Sequence, residues 1–596
     1  MSYDRNNLDK SSSSYLKMHK DNPINWQEWE ESVLRYAKDN NKLILVSIGY
    51  STCHWCHVML RDTFSNKDIA KRLNEDFVCI KIDREERPDL DSYFMSFINE
   101  TYGHGGWPLN VFLSPDLKPF LAITYAGSET KYGMPSFNEI LDRCLDFYEE
   151  NKSKLVNYVM NEPDLTRIEE DKVFENVKKY YDKEFGGFGS TNKFPPHCTL
   201  MFLFHYLIEN NNEELYQISI NTINSIINGG LNDHIEGGYF RYSVDRDWSI
   251  PHFEKMLYDQ AMMLINLSLA YKLTGDNLYK YELEKLILFL KNLKSDDDEL
   301  YNNAIDAESE GVEGKYYLFH EAELENNLSQ QELTKLTLMY DLVQFNDMIH
   351  IKRKRLEYED SLTNKIKELR SDKEKPFMDN KKLVSSNSLL GIGLVYSYRV
   401  LGDDNLLKEA HQIYDEILLN YFDDIRLYHS KNDNEYNKEE FLETFSSFYL
   451  FSTYIFEELR IGKELLEDFY SRVKDYRKPG VWLESNDNSF EIIASNHDHP
   501  ILSGISMTEL AILRYEILIE TEYNSKEYSN SLDNDFYNLL AFFSQGNIKS
   551  VINPRKINWS LLDLNCIQLK SKFNRLCYKG SCKEFKDESD LVKQFS

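Results

Sequence analysis

Two cysteines separated by two residues, Cys53 and Cys56, are the residues of this sequence best suited to chemistry. They follow an apolar run at 43–48, which predicts a short buried strand, and a polar break at 49–52. The residues after them are compatible with a helix. A helix N-terminus carries partial positive charge and unpaired N–H groups, and both stabilise a thiolate. We therefore predict a redox dithiol in which Cys53, the more exposed and more acidic thiol, attacks and Cys56 resolves.

Three other interpretations of residues 53–57, CHWCH, stay open. They are a buried structural pair, a C-x-x-C-H haem attachment motif, and a zinc site formed with His57. Haem attachment belongs to exported proteins, and the N-terminus MSYDRNNLDKSSSS lacks the apolar core of a signal peptide. A fourth zinc ligand is not evident. We expect neither a metal nor another cofactor.

The segments that follow the cysteines predict the elements needed to position them. Residues 77–83 have the pattern of a strand, 88–101 that of a helix, and 109–115 that of a third strand. A further helix is predicted at 136–159. This order is typical of a thioredoxin fold. Pro108, directly before the third strand, is the candidate for a cis peptide bond, because such bonds are nearly confined to proline.

Length and composition limit the remaining possibilities. A chain of 596 residues needs two or more cores, and its 42% hydrophobic content indicates folded protein. The net charge of −30 disfavours nucleic acid and anionic membranes as partners, and no apolar run is long enough to span a bilayer. Eight cysteines are too few for a disulfide scaffold. We expect a cytoplasmic protein.

From about residue 166 the chain changes to amphipathic segments in pairs joined by short polar turns. Two of the turns, LTGDNLYKYE and LGDDNLLKEA, resemble each other, as a repeated helical hairpin would. Periodicity alone fits either a closed toroid or an open solenoid. The predicted pairs are 199–208 with 214–227, 255–273 with 278–293, 388–401 with 406–422, 441–459 with 464–476, 505–519 with 528–543, and a weaker pair between 320 and 370.

Long stretches of the sequence resemble the spermatogenesis-associated protein 20 family. They are SYLKMHKDNPINWQEW (14–29), SIGYSTCHWCHVM (47–59), LNEDFVCIKIDREERPD (73–89) and GHGGWPLNVFLSPDLKPF (103–120). The resemblance implies an α/β thioredoxin-like domain over residues 1–165. Over 166–596 it implies an all-α (α/α)6 toroid, related to six-hairpin glycosidases and N-acylglucosamine 2-epimerases. The family has a terminal cysteine pair similar to Cys577 and Cys582, whose role stays open between a disulfide, a metal clip and no function.

Three polar stretches interrupt the apolar helices, at 185–197, 229–261 and 304–317, and all resemble family motifs. In a toroid such segments line one mouth, where aromatic rings and carboxylates suit a polyol. A proline at position 251 is suited to the first turn of a helix, on which residues 252, 255 and 259 would share one face. The residues expected to bind a sugar-like ligand are Arg241, Asp245, Trp248, Tyr258, Asp306 and Glu308.

A chemical step in the toroid would use His252 as the general base, with Glu254 or Asp259 to orient it or to serve as the acid. Relatives usually have DDK-x-LT-x-WNG where this chain has DNKKLVSSNSL (379–389), and they have an acidic pair near 441 that is absent here. These departures place activity of the toroid in doubt.

Two functions of different classes follow. The first is an enzyme, a thiol–disulfide oxidoreductase domain with a thiol-containing protein substrate, fused to a toroid that resembles carbohydrate-active enzymes. The second is a binding module, in which the toroid holds a saccharide or a protein and the dithiol responds to redox state.

Overall fold

A computed structural model of the protein describes residues 3–131, 133–161, 170–354, 360–479, 481–485, 490–519, 542–543 and 546–595. The linker predicted at 161–166 and the helix predicted at 528–543 lie almost entirely outside these residues. The described part consists of an N-terminal α/β unit, a set of helical hairpins and a C-terminal sheet.

A four-stranded sheet forms the centre of the N-terminal unit. Its strands are β1 (Leu43–Gly49), β2 (Phe77–Asp83), β3 (Leu109–Leu113) and β4 (Pro119–Ile123), in the order β2-β1-β3-β4. β1 runs parallel to β2 and antiparallel to β3, which is antiparallel to β4. All residues of β1 and β2 are buried, as an apolar run predicts for strands covered on both faces.

Six helices surround this sheet. They are α1 (Ser14–Met18), α2 (Glu31–Asp39), α3 (His54–Asp62), α4 (Lys67–Asp76), α5 (Pro88–Tyr102) and α6 (Phe137–Asn151). Local sequence fixes their starts: Pro88 occupies the first turn of α5, and Ser136 forms a capping box with Glu139 at α6. The arrangement confirms the predicted thioredoxin-like fold, although α6 ends eight residues earlier than predicted.

Helices dominate the next 350 residues, and they alternate between an inner and an outer position. The helices are α7 (Glu170–Tyr180), α8 (His197–Glu209), α9 (Glu213–Asn228), α10 (Leu257–Thr274), α11 (Asn277–Leu290), α12 (Glu321–Asn327), α13 (Gln330–Met339), α14 (Asp360–Ser371), α15 (Val384–Leu401), α16 (Asp404–Asn420), α17 (Leu442–Leu459), α18 (Lys463–Arg472) and α19 (Gly504–Ile519). The inner helices are α8, α10, α15, α17 and α19. They pack against one another in chain order and are buried along most of their length.

Two glycines of α15 let this helix approach two other inner helices closely. A Cβ on Gly393 of α15 would lie 2.9 Å from the carbonyl oxygen of Ala261 in α10, and one on Gly391 would collide with the ring of Phe451 in α17. The all-α toroid expected from the sequence is thus held by direct packing of its inner helices.

Residues 321–371 do not supply an inner helix pair, because α10 packs directly on α15. They form a small unit with its own apolar core, in which α12, α13 and α14 pack on a hairpin of β11 (Tyr340–Phe345) and β12 (Met348–Arg353). The helical pair expected between 320 and 370 is therefore wrong in part. The prediction failed because β12 is short. Over six residues, apolar and polar residues can fit the spacing of a helix as well as that of a strand.

Short strands connect the hairpins at one mouth of the toroid. They are β5 (Tyr242–Ser243), β6 (Pro251–His252), β7 (Lys255–Met256), β8 (Ala304–Ile305), β9 (Glu308–Ser309), β10 (Val312–Glu313), β13 (Met378–Asp379), β14 (Lys382–Leu383), β15 (Ser430–Asn432), β16 (Glu435–Asn437), β17 (Arg477–Lys478), β18 (Val481–Ser485) and β19 (Ile492–Ile493).

The chain ends in a sheet that the sequence analysis did not identify. Its strands are β20 (Lys549–Asn553), β21 (Cys566–Lys570), β22 (Arg575–Tyr578) and β23 (Ser581–Glu584), in the order β21-β20-β22-β23, followed by α20 (Glu588–Phe595). Cys577 and Cys582 face each other across β22 and β23 and form a disulfide. Of the roles left open for this pair, the structure has the disulfide.

Candidate functional site at the junction of the two halves

The C-x-x-C pair lies at the N-terminus of α3, as predicted. Cys53 is the N-cap residue, and its sulfur accepts a hydrogen bond from the backbone N–H of Cys56. The two cysteines form a disulfide, and the Trp107–Pro108 peptide bond is cis, as predicted for Pro108. Cys53 is 4% exposed and Cys56 2%, so both are buried and the expected difference in exposure is small.

The loop that leads to the disulfide is docked on the toroid. Thr52 donates a hydrogen bond of 2.5 Å to Glu254, which is fully buried. Arg241 donates to the hydroxyl of Tyr50 and, at 3.2 Å, to Glu254. Two residues predicted in the toroid site therefore bind the thioredoxin-like domain directly.

Glu308 is the centre of a second set of contacts with α3. Its carboxylate lies 2.6 Å from Nδ1 of His54 and accepts hydrogen bonds of 2.8 and 3.1 Å from Arg61. Burial would raise the pKa of Glu308, but hydrogen bonds from His54, His57 and Arg61 hold it well below its usual value. Burial raises the pKa of Asp306 to about 6, although His57 opposes this shift. Both predicted carboxylates thus face the C-x-x-C helix.

The helix predicted to begin at Pro251 is wrong. Strands β6 and β7 occupy the first part of this segment, and α10 begins only at Leu257. β6 pairs with β5 and β7 pairs with β8, so hydrogen bonds to neighbouring strands outweigh a helical spacing of side chains. His252, Lys255 and Asp259 consequently do not share one helical face.

The side chains of His252 and Lys255 each have a partner in another segment of the chain. Nδ1 of His252 lies 2.6 Å from Glu313, and its ring stacks on Tyr242. Lys255 is 1% exposed and donates a hydrogen bond of 2.8 Å to Asp233. This buried pair holds the loop before β5 against β7.

Asp245 and Trp248 stabilise the loop between β5 and β6. Asp245 accepts hydrogen bonds of 2.9 and 2.7 Å from the backbone N–H groups of Ser249 and Ile250. Trp248 is 1% exposed, and its indole N–H donates to the carbonyl oxygen of Phe185. These two predicted ligand-binding residues are therefore used within the loop, and the Trp248 ring faces protein.

Four buried polar atoms at the toroid mouth have no hydrogen-bond partner among the described residues. They are Arg241 Nε, Tyr258 Oη, Asp259 Oδ2 and His197 Nδ1, and we call these four residues the inner polar group. The other carboxylate oxygen of Asp259, Oδ1, lies 3.2 Å from Nε2 of His197. Burial raises the pKa of Asp259, and the hydrogen bond from His197 and the charge of Arg241 oppose the shift.

Sequence reasoning predicted three members of the inner polar group and missed His197. A signal was present, because His197 is the last residue of the polar stretch 185–197. It is also the first residue of α8, so a short loop delivers it to the same mouth as α10.

Segment 379–389, which differs from the motif of relatives, also takes part in the interface between the two halves. The sequence did not predict this role. Ser51 donates a hydrogen bond of 2.5 Å to Asp379. Lys381 lies 2.7 Å from Asp83 and 3.0 Å from Glu85, and all four charged residues of this cluster are buried. Asp379 and Lys381, two of the positions that match the motif of relatives, both contact the thioredoxin-like domain.

Replacement of Glu308 by glutamine is expected to loosen the docked loop. Glutamine keeps the shape but loses the charge, and charge-assisted hydrogen bonds are worth about 1.5–3 kcal/mol. After reduction, Cys53 should be alkylated by iodoacetamide about tenfold faster than in the parent protein, which corresponds to about 1.4 kcal/mol. Peptide mass spectrometry between pH 6 and 9 would separate a change in access from a change in thiol pKa.

Glu310→Gln is the matched control for this variant. Glu310 lies two residues further along, is half exposed and pairs with Lys315 at 2.7 Å. It should leave the alkylation rate unchanged. Equal rates in the Glu308 variant and the parent protein would mean that docking does not protect the dithiol.

Among the described residues, no group of three or more His, Cys, Asp or Glu side chains is arranged to hold a metal ion. None of the helices in the described part of the chain is long and apolar enough to cross a membrane.

Comparison with known proteins found a family model and several solved structures that are similar to parts of this chain. The family model described as "Protein of unknown function, DUF255", a thioredoxin-like DsbH domain, matches residues 5–164. Solved structures similar to part of this chain include a family 76 glycoside hydrolase from a bovine Bacteroides thetaiotaomicron strain, at 9% identity and TM-score 0.36, with 68% of this chain and 70% of that one covered. A sugar epimerase from a ruminal bacterium matches at 16% identity, TM-score 0.29, 54% of this chain and 92% of that one.

Curated relatives extend across both halves. An uncharacterised Caenorhabditis elegans protein is 34% identical over 469 residues, which cover 68% of this chain and 64% of the relative. Human spermatogenesis-associated protein 20 is 32% identical over 473 residues, which cover 68% of this chain and 60% of the human protein. The match thus spans about three fifths of the length of these relatives. On this similarity, and on the thioredoxin-like match at its N-terminus, the chain resembles the spermatogenesis-associated protein 20 family over 68% of its length.

Proposed function

We propose that this protein is a redox-responsive binding protein. In this proposal the toroid binds a small, hydroxyl-rich, sugar-like ligand, and the thioredoxin-like domain closes over it to an extent set by the Cys53–Cys56 dithiol. The observation that carries the proposal is that the loop holding the disulfide and the toroid mouth form one interface, through Thr52 with Glu254 and α3 with Glu308.

The inner polar group supports a ligand rich in hydroxyl groups. A buried polar atom without a partner costs about 1–3 kcal/mol, so four of them together favour a ligand that satisfies them. Arg241 can donate, the Asp259 carboxylate can accept, and the Tyr258 hydroxyl can do both. A polyol, whose hydroxyls both donate and accept, matches this mixture better than a purely anionic or apolar molecule.

Binding is favoured over turnover because the groups that chemistry would need are already engaged. Glu254 and Glu308 are held by the thioredoxin-like domain, and His252 is held by Glu313. The dithiol is likewise buried, so a thiol-containing protein would reach Cys53 only after the structure around it opens. A change in the dithiol is therefore suited to control the closed interface.

The test is a titration of a saccharide and polyol panel into the oxidised and the dithiothreitol-reduced protein by calorimetry. We expect one compound class to bind, with affinities that differ about tenfold or more between the two states. Asp259→Asn and Tyr258→Phe should each weaken binding by about tenfold, in line with hydrogen bonds worth about 1–1.5 kcal/mol. Asp347→Asn, at an exposed turn, is the control that should bind normally.

The outcomes separate the two parts of the proposal. No binding by either state would remove the ligand. Binding of equal strength in both states would remove the control by the dithiol.

A further inference from the structure

The C-terminal sheet is basic, although the chain as a whole carries a net charge of −30. Residues 549–583 contain eight lysine and arginine residues and a single carboxylate, Asp563. That carboxylate is already paired, because Nζ of Lys549 lies 2.7 Å from it. The net charge that disfavours anionic partners is therefore not shared by this region, whose positive field attracts anions.

A cavity of about 250 Å³ lies where this sheet meets the end of α17. β20 and β21 are parallel, and Asn553 is the register partner of Lys570, so the residues after both strands emerge at the same edge. Four cations line the cavity, and they are Arg460, Arg555, Lys556 and Lys570. They belong to the end of α17, the loop after β20 and the end of β21, and so reach the cavity from different elements.

The two carboxylates beside the cavity are fully engaged. Oε1 of Glu457 accepts a hydrogen bond of 2.9 Å from a backbone N–H of β21, and Oε2 lies 2.6 Å from Arg514. Oε1 of Glu458 lies 2.7 Å from Arg399, and Oε2 lies 2.5 Å from Nζ of Lys556. Every carboxylate oxygen of these two residues therefore has a partner, and the other cations of the cavity are left without one.

The remaining cations are Arg460, Arg555 and Lys570, which form no ion pair within the described part of the chain. Arg460 is half-buried, and its guanidinium donates a hydrogen bond of 2.5 Å to a carbonyl oxygen of β21. Burial lowers the pKa of Arg460, although the charges of Glu457 and Glu458 oppose the shift. A half-buried guanidinium without a counterion is well suited to donate to an anionic ligand.

The backbone at Arg460 is unusual for the residue that it carries. The inner helices α10 and α15 end at Gly275 and Gly402, both in the left-handed region. α17 ends in the same conformation at Arg460, where φ is 61°. A residue with a Cβ adopts this conformation at a cost, which is why glycine is usual at the end of a helix. Such a cost is typical of positions where the side chain has a function.

We propose that this cavity binds a small molecule that carries a diphosphate or triphosphate group, at the end of the toroid opposite the dithiol. α17 has 18 residues, so the site lies about 27 Å along this helix from the mouth and is separate from the inner polar group. Phosphate oxygens point in several directions and can accept from cations on different elements, whereas a carboxylate is planar. The cavity is small for a ligand site, which favours a compact anion over a polymer.

Calorimetric titration of the full-length protein with sodium triphosphate, in a buffer free of phosphate, tests the proposal. We expect one site per chain, with weaker binding of pyrophosphate and weaker still of orthophosphate, because the charge of the probe falls in that order. Affinity should fall as sodium chloride is added. Citrate, a compact anion with planar carboxylates, should bind about tenfold more weakly than triphosphate. Triphosphate should also raise the unfolding temperature, since it binds only the folded protein.

Arg460→Gly is the most informative variant, because it removes the cation and introduces the residue that ends α10 and α15. Without ligand it should unfold close to the temperature of the parent protein, and it should bind triphosphate about tenfold more weakly. Lys570→Met should weaken binding by a similar factor. Lys583→Met is the matched control, because it removes the same charge from an exposed position of β23 outside the cavity. It should bind triphosphate within about twofold of the parent.

The absence of both a heat of binding and a rise in unfolding temperature with triphosphate would overturn the proposal. Equal losses of affinity in Lys583→Met and Arg460→Gly would also overturn it, because they would show attraction to the whole sheet and no defined site. Citrate that binds as tightly as triphosphate would exclude a site built for phosphate. A single-stranded oligonucleotide that displaces triphosphate and binds more tightly would assign this surface to nucleic acid instead.

Discussion

Replacement of Lys381 by methionine is expected to lower the free energy of unfolding by about 3–5 kcal/mol, the usual cost of removing one partner from a buried ion pair. Lys381 lies within 3.0 Å of Asp83 and Glu85 and within 3.9 Å of Asp379. Burial alone would lower the pKa of Lys381, but these carboxylates hold it well above its usual value. Without the cation, carboxylates from both halves would face each other in a buried site.

Lys382→Met is the matched control, because it removes a neighbouring buried lysine with a different role. Lys382 is 6% exposed and donates to the Asn302 side chain and the Asn380 carbonyl, with no carboxylate in hydrogen-bond range among the described residues. Urea unfolding followed by tryptophan fluorescence should show the larger loss for Lys381→Met. Equal losses in the two variants would contradict the role of Lys381 as the central cation of the interface.

The sequence alone predicted the thioredoxin-like unit with little error. β1 and β2 were expected at 43–48 and 77–83, and they lie at Leu43–Gly49 and Phe77–Asp83. Both are continuous apolar runs bounded by turn residues, so local pattern and burial agree. The predicted bounds of the inner helices of the toroid were also close to the observed ones, since long periodic segments specify their own secondary structure.

Contacts between the halves could not be predicted, because they join residues far apart in sequence. Thr52 and Glu254 are separated by 202 positions, and Ser51 and Asp379 by 328. Polar residues in short segments indicate that a site exists, but a single sequence does not say what faces them. Glu308 was therefore assigned to a ligand, whereas its observed partners are His54 and Arg61.

Tertiary structure also overrode local pattern at the start of α10 and at the C-terminus. Pro251 and the residues after it have helical spacing, yet pairing with β5 and β8 draws them into strands. The last sheet is made of strands of four or five residues, too short for a period to be read from the sequence.

Replacement of Glu484 by glutamine is expected to stabilise the protein at alkaline pH. Glu484 is buried on β18, accepts a hydrogen bond of 3.1 Å from the backbone N–H of Glu443, and lies near Asp89 of the thioredoxin-like domain. Burial, together with the charges of Glu443 and Asp89, raises the pKa of Glu484 to about 8. Ionisation of this side chain therefore opposes folding.

The sign of the pH dependence follows from this shift. A carboxyl group whose folded pKa lies above its unfolded value binds its proton more tightly in the folded protein, so its contribution to stability is lost as pH rises. Wild-type stability should fall between about pH 4.5, the usual value for glutamate, and about pH 8 because of this group. Glutamine is neutral throughout this range and can still accept the hydrogen bond from Glu443.

Glu484→Gln should accordingly match the parent protein near pH 5 and exceed its free energy of unfolding by about 2–4 kcal/mol at pH 8, at 1.36 kcal/mol per pKa unit. Urea unfolding of both proteins at half-unit intervals from pH 5 to 8.5 measures the difference, in which the titration of all other groups cancels. Glu439→Gln, at an exposed position nearby, should give a flat difference over the same range. A flat difference for Glu484→Gln as well would mean that this carboxyl group titrates normally and that the junction between the two halves is open to water at β18.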